Sequence, residues 1–437
     1  MIILVFFIYT AQREIFKSYF EIYKVCCMIN WIERYLGGSK MAEVLSKKQH
    51  KWTNIILVIV CFIIVAYIAY IRGWIPTQFG RSVQLEEKKM LFELNSKEKS
   101  YVGINNKQIF HVSQDGIKAY DFEGTEAWRD TFSFTDFVVV QKEPYIAVGT
   151  KRGTSIHVFN EKGKQAEIKS ESPIVYFSVN EAGGVVAIAN NDDQYTVTAY
   201  NEYGDEVCTQ TTYVKDEGYP LVAELSPDNT KIVVSYVSVD EPQVVSRVYI
   251  IDVLKPEKEE KNTAKYGGEQ KNNLVYEIEF INEDTWVTIG DELCVWYDLE
   301  GNELGKEENL SLVFAPYLYR RSQHGLGYLP VVLSDKPTQN IIRRQDKLVY
   351  FNHLGEKTFE TTLEGGVKSV YADNNGTTIQ LERSFFGYNK LGNLFFTYTA
   401  NTDVNKVIYK PTIRKGIAVT KEGVYVLMPK KEIGKNG

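Results

Sequence analysis

A short phrase recurs along this sequence and restricts the fold more than any other feature. It consists of an aromatic residue, then Asn or Asp, two variable residues and Gly, and it occurs six times. Chance would supply fewer than about one such match at ordinary residue usage. The chain therefore contains an internal repeat. The six pairs are Asp121 with Gly124, Asn160 with Gly163, Asn201 with Gly204, Asp298 with Gly301, Asn352 with Gly355, and Asn389 with Gly392.

The spacing within the phrase is that of a tight turn. Asp or Asn at the first position and Gly at the fourth favour a type I turn followed by a residue in the left-handed conformation. An alternating strand precedes the phrase, as in "TVTAY", and a shorter polar strand follows it, as in "EVCTQT". Each phrase is therefore predicted to be a hairpin corner.

Two further strands precede each corner, most clearly in residues 174–211, so that each repeat holds four antiparallel strands. With a weaker corner at Ile251-Asp252 and a last repeat ending near Leu427, the repeats recur about every 44 residues. This pattern predicts an all-β fold, a β-propeller of four-stranded blades. We expect eight blades, or seven if residues 311–346 depart from the plan. We also expect residues 88–95 to complete the last blade and close the ring.

An apolar segment precedes the repeats. Residues 55–71 carry no charge, and Trp52 and Trp74 flank them as an aromatic belt does at the two membrane interfaces. We predict a transmembrane helix over 54–74, a short cytoplasmic segment over 41–53, and a propeller outside the cell membrane. The numbers of basic residues on the two sides are nearly equal, so the charge difference that sets the orientation is small.

The remaining boundaries follow from composition. Residues 1–40 begin with an apolar run too short to span a membrane, and we predict a mis-called or unstructured extension with the true start at Met41. Residues 75–82 are predicted to be a linker, residues 83–432 the propeller and residues 433–437 a tail.

Charge and motif content exclude several functions. The net charge of −6 is spread over mixed-sign segments, which disfavours nucleic acid as a partner. Cys208 and Cys294 are the two cysteines of the repeat region, so one disulfide is possible, but two cysteines cannot form a disulfide framework. The sequence has no metal-ligand spacing, no nucleophile elbow and no phosphate-binding loop, and we predict no catalytic residue, no metal and no cofactor.

One irregular stretch is the candidate partner patch. Tyr and Arg are the residue types that most often carry binding energy at protein interfaces. The alternative is an ordinary strand pair with a surface hairpin. The patch consists of Tyr317, Tyr319, Arg320, Arg321, His324 and Tyr328.

The corner pattern resembles the repeats of quinoprotein-type and WD-repeat-like propellers. The likeness is greatest in "AYDFEGTEAW", where Trp128 follows the Gly as a docking Trp does in the quinoprotein family. The other repeats have Ile168, Thr209 or Phe359 in that neighbourhood, so the docking ring of that family is absent. The whole chain, with its anchor and propeller, is similar to uncharacterised membrane-anchored propeller families of Gram-positive bacteria.

These observations lead to one functional expectation with two alternatives. The expectation is a non-enzymatic scaffold of the cell envelope that docks another protein. The first alternative is a module that binds cell-wall glycan or a small ligand, with exposed aromatic rings around one concavity. The second is an extracytoplasmic hydrolase or lyase, which would cluster ionisable groups with shifted pKa values in the central funnel.

Overall fold

The computed structural model describes residues 82–430, apart from residues 106, 193, 239–241, 254–264, 309–311, 315–326, 335–344 and 374. These residues belong to one compact unit, Pro76–Gly437. The predicted extension, cytoplasmic segment and transmembrane helix lie outside the described residues. Among those that are described, no helix has the length and apolar character needed to cross a membrane.

The described chain is built from β-strands. In chain order they are β1 (Val83–Glu93), β2 (Tyr101–Ile104), β3 (Ile109–Ser113), β4 (Gly116–Tyr120), β5 (Glu126–Thr131), β6 (Phe137–Lys142), β7 (Tyr145–Thr150), β8 (Ser155–Asn160), β9 (Gly163–Lys169), β10 (Ile174–Val179), β11 (Val185–Asn191), β12 (Gln194–Tyr200), β13 (Glu206–Tyr213), β14 (Tyr219–Leu225), β15 (Lys231–Ser238) and β16 (Val245–Asp252). They continue with β17 (Lys265–Lys271), β18 (Val275–Phe280), β19 (Thr285–Gly290), β20 (Leu293–Asp298), β21 (Glu303–Glu308), β22 (Leu312–Phe314), β23 (Tyr328–Ser334), β24 (Asp346–Asn352), β25 (Lys357–Thr362), β26 (Val367–Asp373), β27 (Gly376–Leu381), β28 (Ser384–Tyr388), β29 (Leu394–Thr399), β30 (Val404–Lys410), β31 (Lys415–Thr420) and β32 (Gly423–Pro429).

The strands form antiparallel four-stranded units that follow the chain. Within the described residues, six separate four-stranded sheets hold β2–β5, β6–β9, β10–β13, β14–β17, β18–β21 and β22–β25, which we call units 1 to 6. The remaining sheet has eight strands, in the order β26-β27-β28-β29-β1-β32-β31-β30. We call β26–β29 unit 7, and β30–β32 with β1 unit 8. The first strand of each unit starts a meander that runs outward to the fourth.

The start and end of the repeat region pair in the way the sequence predicts. Strand β1 is antiparallel to β32, with Leu85 opposite Pro429 and Glu93 opposite Gly423. It thereby supplies the fourth strand of unit 8. The pairing overlaps the predicted segment, residues 88–95, but begins at Leu85 and ends at Glu93. On its other edge, Val83 lies opposite Phe396 of β29 in a short parallel bridge.

The corners have the predicted turn geometry. In the first, the Asp121 carboxylate accepts backbone N–H bonds from Glu123 and Thr125, and the Gly124 N–H donates to the Asp121 carbonyl. Asn201, Asp298, Asn352 and Asn389 accept the same pair of bonds. All six corner glycines have positive φ, a region that disfavours a side chain. These residues are structural.

A side chain from the preceding unit packs on several corner glycines. The Trp128 indole N–H donates to the Glu161 carbonyl at 3.1 Å, and its ring stacks on Phe159 at 5.9 Å, beside the Gly163 corner. Trp128 is thus a docking residue between units 1 and 2. At the later corners Ala166, Ile250, Trp296 and Phe359 contact Gly204, Gly301, Gly355 and Gly392, respectively. The docking position therefore has no repeated residue type, as the sequence indicates.

The core lies between consecutive units. One buried cluster joins units 1 and 2 through Phe110 and Phe159, and another joins units 3 and 4 through Val197 and Val234. Each remaining neighbouring pair shares a cluster of the same kind. The last joins unit 8 back to unit 1. Because each sheet buries its faces against its two neighbours around a closed ring, the fold is an all-β propeller.

Candidate functional site

A cavity of about 510 Å³ lies at the centre of the ring. Most of its described lining comes from the first strands of every unit except unit 6. A central, concave position reached by many units is the usual place for a binding site in such a fold. Six carboxylates and three lysines line it, so the cavity is acidic. They are Glu143, Glu181, Glu224, Glu277, Glu279 and Asp373, with Lys142, Lys151 and Lys406.

One lysine crosses the channel. Lys142 is the last residue of β6, and its Nζ lies 2.8 Å from Glu224 of β14 and 2.6 Å from Glu279 of β18. Ser178 of β10 donates from its hydroxyl to Glu224 at 3.1 Å. Unit 2 is thereby tied to units 4 and 5 on the far side of the ring. Removing one partner of an ion pair that is buried this deeply strongly destabilises a protein.

The next residue along the chain takes part in a second buried network. Glu143 pairs with Lys410, the last residue of β30, whose Nζ also lies 3.0 Å from Asp373, the last residue of β26. Burial disfavours the charged lysine, but Asp373 and Glu143 outweigh this effect and raise the pKa of Lys410. Both networks lie where the first strands end. We call this the ionic end of the channel.

Glu277 stands apart from both networks. It is partly buried in the cavity wall on β18, and within the described residues it has no hydrogen-bond or ion-pair partner. Burial, with a further contribution from Glu279, raises its pKa to about 8; Lys142 opposes the shift and Glu224 adds to it. The cavity thus contains a carboxyl group that holds its proton at neutral pH.

Lys406 of β30 is held on the wall by aromatic rings. Its Nζ donates to the Val102 carbonyl at 3.1 Å and lies 4.8 Å and 4.6 Å from the ring centroids of Tyr101 and Tyr371. Burial lowers the pKa of Lys406 to about 8, against the opposing effect of Asp373. Lys406 therefore occupies the faces of two of the tyrosines that line the cavity.

β-Bulges mark the opposite end of the channel. The register of the first strand shifts by one residue between Ile174 and Tyr176, and equivalent shifts occur near the start of five other first strands. Each shift leaves one residue without a cross-strand partner. The bulge residues are Val175, Leu221, Tyr276, Val313, Lys368 and Asn405. We call this the bulged end.

Three of the bulge residues form an apolar arc. Val175, Leu221 and Tyr276 are 45%, 36% and 38% exposed, and they occupy equivalent positions on β10, β14 and β18. Strand β14 packs against both other strands, so the three residues follow one another around the ring. On units 7 and 8 the equivalent residues are Lys368 and Asn405, so the arc has a polar side opposite it.

Most of the predicted partner patch lies outside the described residues. This is the case for Tyr317, Tyr319, Arg320, Arg321 and His324, between β22 and β23. Tyr328 is described, and it is a core residue, 4% exposed, whose ring packs on Tyr350 at 4.5 Å. It sits at the start of β23, where burial against units 6 and 7 keeps it from the surface. The prediction is therefore wrong in counting Tyr328 as part of an exposed patch.

None of the cavity residues was predicted from the sequence. The signal that was available is a charged residue near the end of a first strand, as at Lys142, Glu224 and Glu279. In the described part of the chain no three His, Cys, Asp or Glu side chains form a group that could hold a metal ion. No disulfide joins Cys208 to Cys294, and both are buried.

Comparisons with known proteins identify a family but no activity. The family model described as "Family of unknown function (DUF5711)" matches residues 83–427. No curated protein matches the sequence.

Three solved structures illustrate the structural similarity. BamB from Moraxella catarrhalis aligns with 12% identity and a TM-score of 0.45, covering 79% of this chain and 100% of that one. Kluyveromyces lactis Hsv2 aligns with 12% identity and a TM-score of 0.39, covering 73% and 97%. The Neurospora crassa Pan2 WD40 domain aligns with 10% identity and a TM-score of 0.40, covering 81% and 96%. At these values the likeness is too distant to transfer a function.

Proposed function

Because this chain belongs to DUF5711, a family of unknown function, we propose its role from its own geometry: it is a non-enzymatic interaction module that docks a protein partner at the bulged end of the propeller. The observation that carries the proposal is the apolar arc of Val175, Leu221 and Tyr276. Bulge residues without cross-strand partners are exposed there on three successive units. Contiguous exposed apolar side chains mark interaction sites in soluble domains.

The surroundings of the arc define the partner's chemistry. The arc lies beside the acidic cavity, which Val175 also lines. A complementary partner presents apolar side chains to the arc and basic groups to the cavity, since complementary charge steers association and fixes the register of docking. Aromatic and apolar anchors at the centre of an interface supply most of its binding energy.

We count the eight units as eight blades of one ring. Buried clusters join every consecutive pair of units, including unit 8 with unit 1, which supports this number. Strands β22–β25 form a four-stranded sheet in the region where the sequence left seven blades as an alternative. A rigid ring of this kind presents the arc on a preformed surface, which lowers the entropic cost of docking.

The two alternatives from the sequence are less well supported by the cavity. Glu277 and Lys406 have the shifted pKa values that an enzyme would show. Four other carboxylates are held in ion pairs, however, Glu224 and Glu279 with Lys142, and Glu143 and Asp373 with Lys410. Glycan binding needs open aromatic faces. Lys406 already lies against two of the cavity tyrosines, which leaves those rings poorly placed to stack on sugars.

The location belongs to the same proposal. We place the propeller outside the cell membrane, facing the envelope of a Gram-positive bacterium and tethered by a single span over residues 54–74, with the N-terminus in the cytoplasm. The support is the apolar, Trp-flanked sequence of that segment. A Ser100→Cys variant of the full chain should react with a membrane-impermeant maleimide in intact cells, because Ser100 is exposed. Labelling that occurs only after lysis would contradict this orientation.

The docking surface is tested by photo-crosslinking in cells that contain the full chain. A benzophenone amino acid replaces Tyr276 of the arc or, as the matched control, Tyr203, an exposed tyrosine at the unit 3 corner. We expect one reproducible protein adduct from position 276 that is absent from position 203. The adduct should disappear with Leu221→Glu and persist with Leu391→Glu, which alters another exposed leucine, at the unit 7 corner. Identical adducts from both positions, or none from either, would overturn the proposal.

A further inference from the structure

The acidic cavity holds more negative charge than its lysines neutralise. Lys142 serves two carboxylates, Glu224 and Glu279. Lys410 likewise serves Glu143 and Asp373. With six carboxylates and three lysines in its described lining, the cavity has a negative formal charge.

Glu277 is a further carboxyl group of this lining, and it can gain a negative charge when it loses its proton. Its carboxyl lines the cavity without a hydrogen-bond or ion-pair partner among the described residues, and its side chain is partly buried in the wall. Buried carboxylates in folded proteins are normally paired. A side chain of this type, left unpaired beside a space of about 510 Å³, indicates a group that enters from outside.

We propose that the cavity binds an alkylguanidinium or alkylammonium group, with Glu277 as its anchoring carboxylate. The charge of such a cation is the one that the lining lacks. Its alkyl stem can lie against Val138 and Val175, the apolar residues of the lining nearest the bulged end. The described lining does not gather three ligands for a metal ion, which favours an organic cation.

The charged groups around Glu277 give the binding a distinctive pH dependence. Glu279 on its own strand, Glu224 on β14 and Lys142 on β6 all face it, and burial with their combined field holds its proton on up to about pH 8. A bound cation favours the ionised carboxylate, so binding must release that proton. Affinity therefore rises with pH until Glu277 is ionised in the free protein. Lys406 loses its charge over the same range, and a Glu277 variant separates the two contributions.

The cation has two chemical sources, a free small molecule or a basic side chain of a docked protein. Full-length protein in detergent is titrated in a calorimeter with butylguanidine and with acetyl-Leu-Arg-Leu-amide. The matched uncharged probes are butylurea and the same peptide with citrulline. A guanidinium stays protonated throughout, so the pH dependence reports the protein alone.

We expect a charged probe to bind, its uncharged counterpart not to bind, and affinity to rise between about pH 6.5 and 9 with proton uptake by the buffer. Glu277→Gln should weaken binding at least about tenfold and flatten the pH dependence, because it removes one partner of a buried charged pair. Glu171→Gln, at an exposed glutamate that forms no ion pair with the described residues, should change neither. Binding of butylguanidine alone identifies a free ligand, and binding of the peptide alone identifies a partner side chain.

Two results would overturn the inference. One is the absence of binding by either charged probe up to millimolar concentration to wild-type protein that melts cooperatively. The other is undiminished binding by Glu277→Gln. Neither depends on the cross-linking at Tyr276, so failure of the cavity site and failure of the docking surface can be told apart. The wild-type pH dependence also tests the site without any variant that might misfold.

Discussion

The Nζ of Lys142, at the end of β6, lies 2.6 Å from Glu279 of β18, so one ion pair joins units 2 and 5 across the channel. The same lysine lies 2.8 Å from Glu224 of unit 4. Apolar clusters hold neighbouring units together, but units 2, 4 and 5 are not all neighbours. The channel therefore contains a polar tie that the ring packing does not supply.

Removing that tie should destabilise the protein strongly. Lys142→Met leaves Glu224 and Glu279 buried without their counter-charge, and we expect a loss of about 3–5 kcal/mol, seen as a lower midpoint of thermal unfolding. Lys306→Met is the control, since Lys306 and Glu308 form an exposed pair, a type that contributes little to stability. Equal effects of the two variants would show that the channel pair contributes no more than a surface one.

The closing strand should be equally sensitive at its buried residue. Leu85 of β1 is packed against unit 7 and unit 8 side chains, including Phe396 and Leu427. Leu85→Ala should cost about 2–5 kcal/mol through the cavity it leaves, and should make β1 accessible to limited proteolysis. Met90→Ala, on the same strand but exposed, should stay within about 0.5 kcal/mol of wild type. A Leu85→Ala protein as resistant as wild type would mean that the ring is not held closed there.

The corners and the closing strand were predictable because their causes are local or repeated. An Asn or Asp followed by Gly three residues later specifies one turn wherever it occurs, as at Asn201 and Gly204. Repetition then specifies the four-stranded unit. An incomplete last repeat calls for a strand from the other end of the chain, and β1 supplies it.

The cavity was not predictable for the opposite reason. Lys142 and Glu279 are 137 residues apart, and only the closing of the ring brings them together. The bulge after Val275 also shifts the alternation of β18 by one residue, so the pattern of the sequence does not show that Glu277 faces the cavity and Tyr276 the surface. Tyr328 illustrates the same limit, because its burial depends on contacts with a neighbouring unit.

The interface between units 1 and 2 should depend on both the ring and the N–H of Trp128. Trp128→Ala removes the stack on Phe159 and the bond to the Glu161 carbonyl, and should lower stability by about 1–3 kcal/mol. Trp128→Phe keeps an aromatic ring and loses the hydrogen bond, for about 1 kcal/mol. Thermal unfolding of the two variants measures how much the ring and the hydrogen bond each contribute. A Phe variant as unstable as the Ala variant would assign the whole effect to the hydrogen bond.

Glu277 should make the protein less stable as the pH rises from about 5 to 8. Its pKa is near 8 in the folded chain and near the ordinary glutamate value in the unfolded one, so over this range the folded state binds more protons than the unfolded state. The free energy of unfolding is therefore not reduced by this group below its unfolded pKa, and it falls as the pH rises toward the folded pKa. Glu277→Gln removes this loss, because the amide stays neutral. The difference in unfolding midpoint between the variant and wild type should move in the variant's favour with rising pH, whereas Glu171→Gln should follow wild type. A constant difference between Glu277→Gln and wild type would show that Glu277 is ionised at neutral pH in the folded protein.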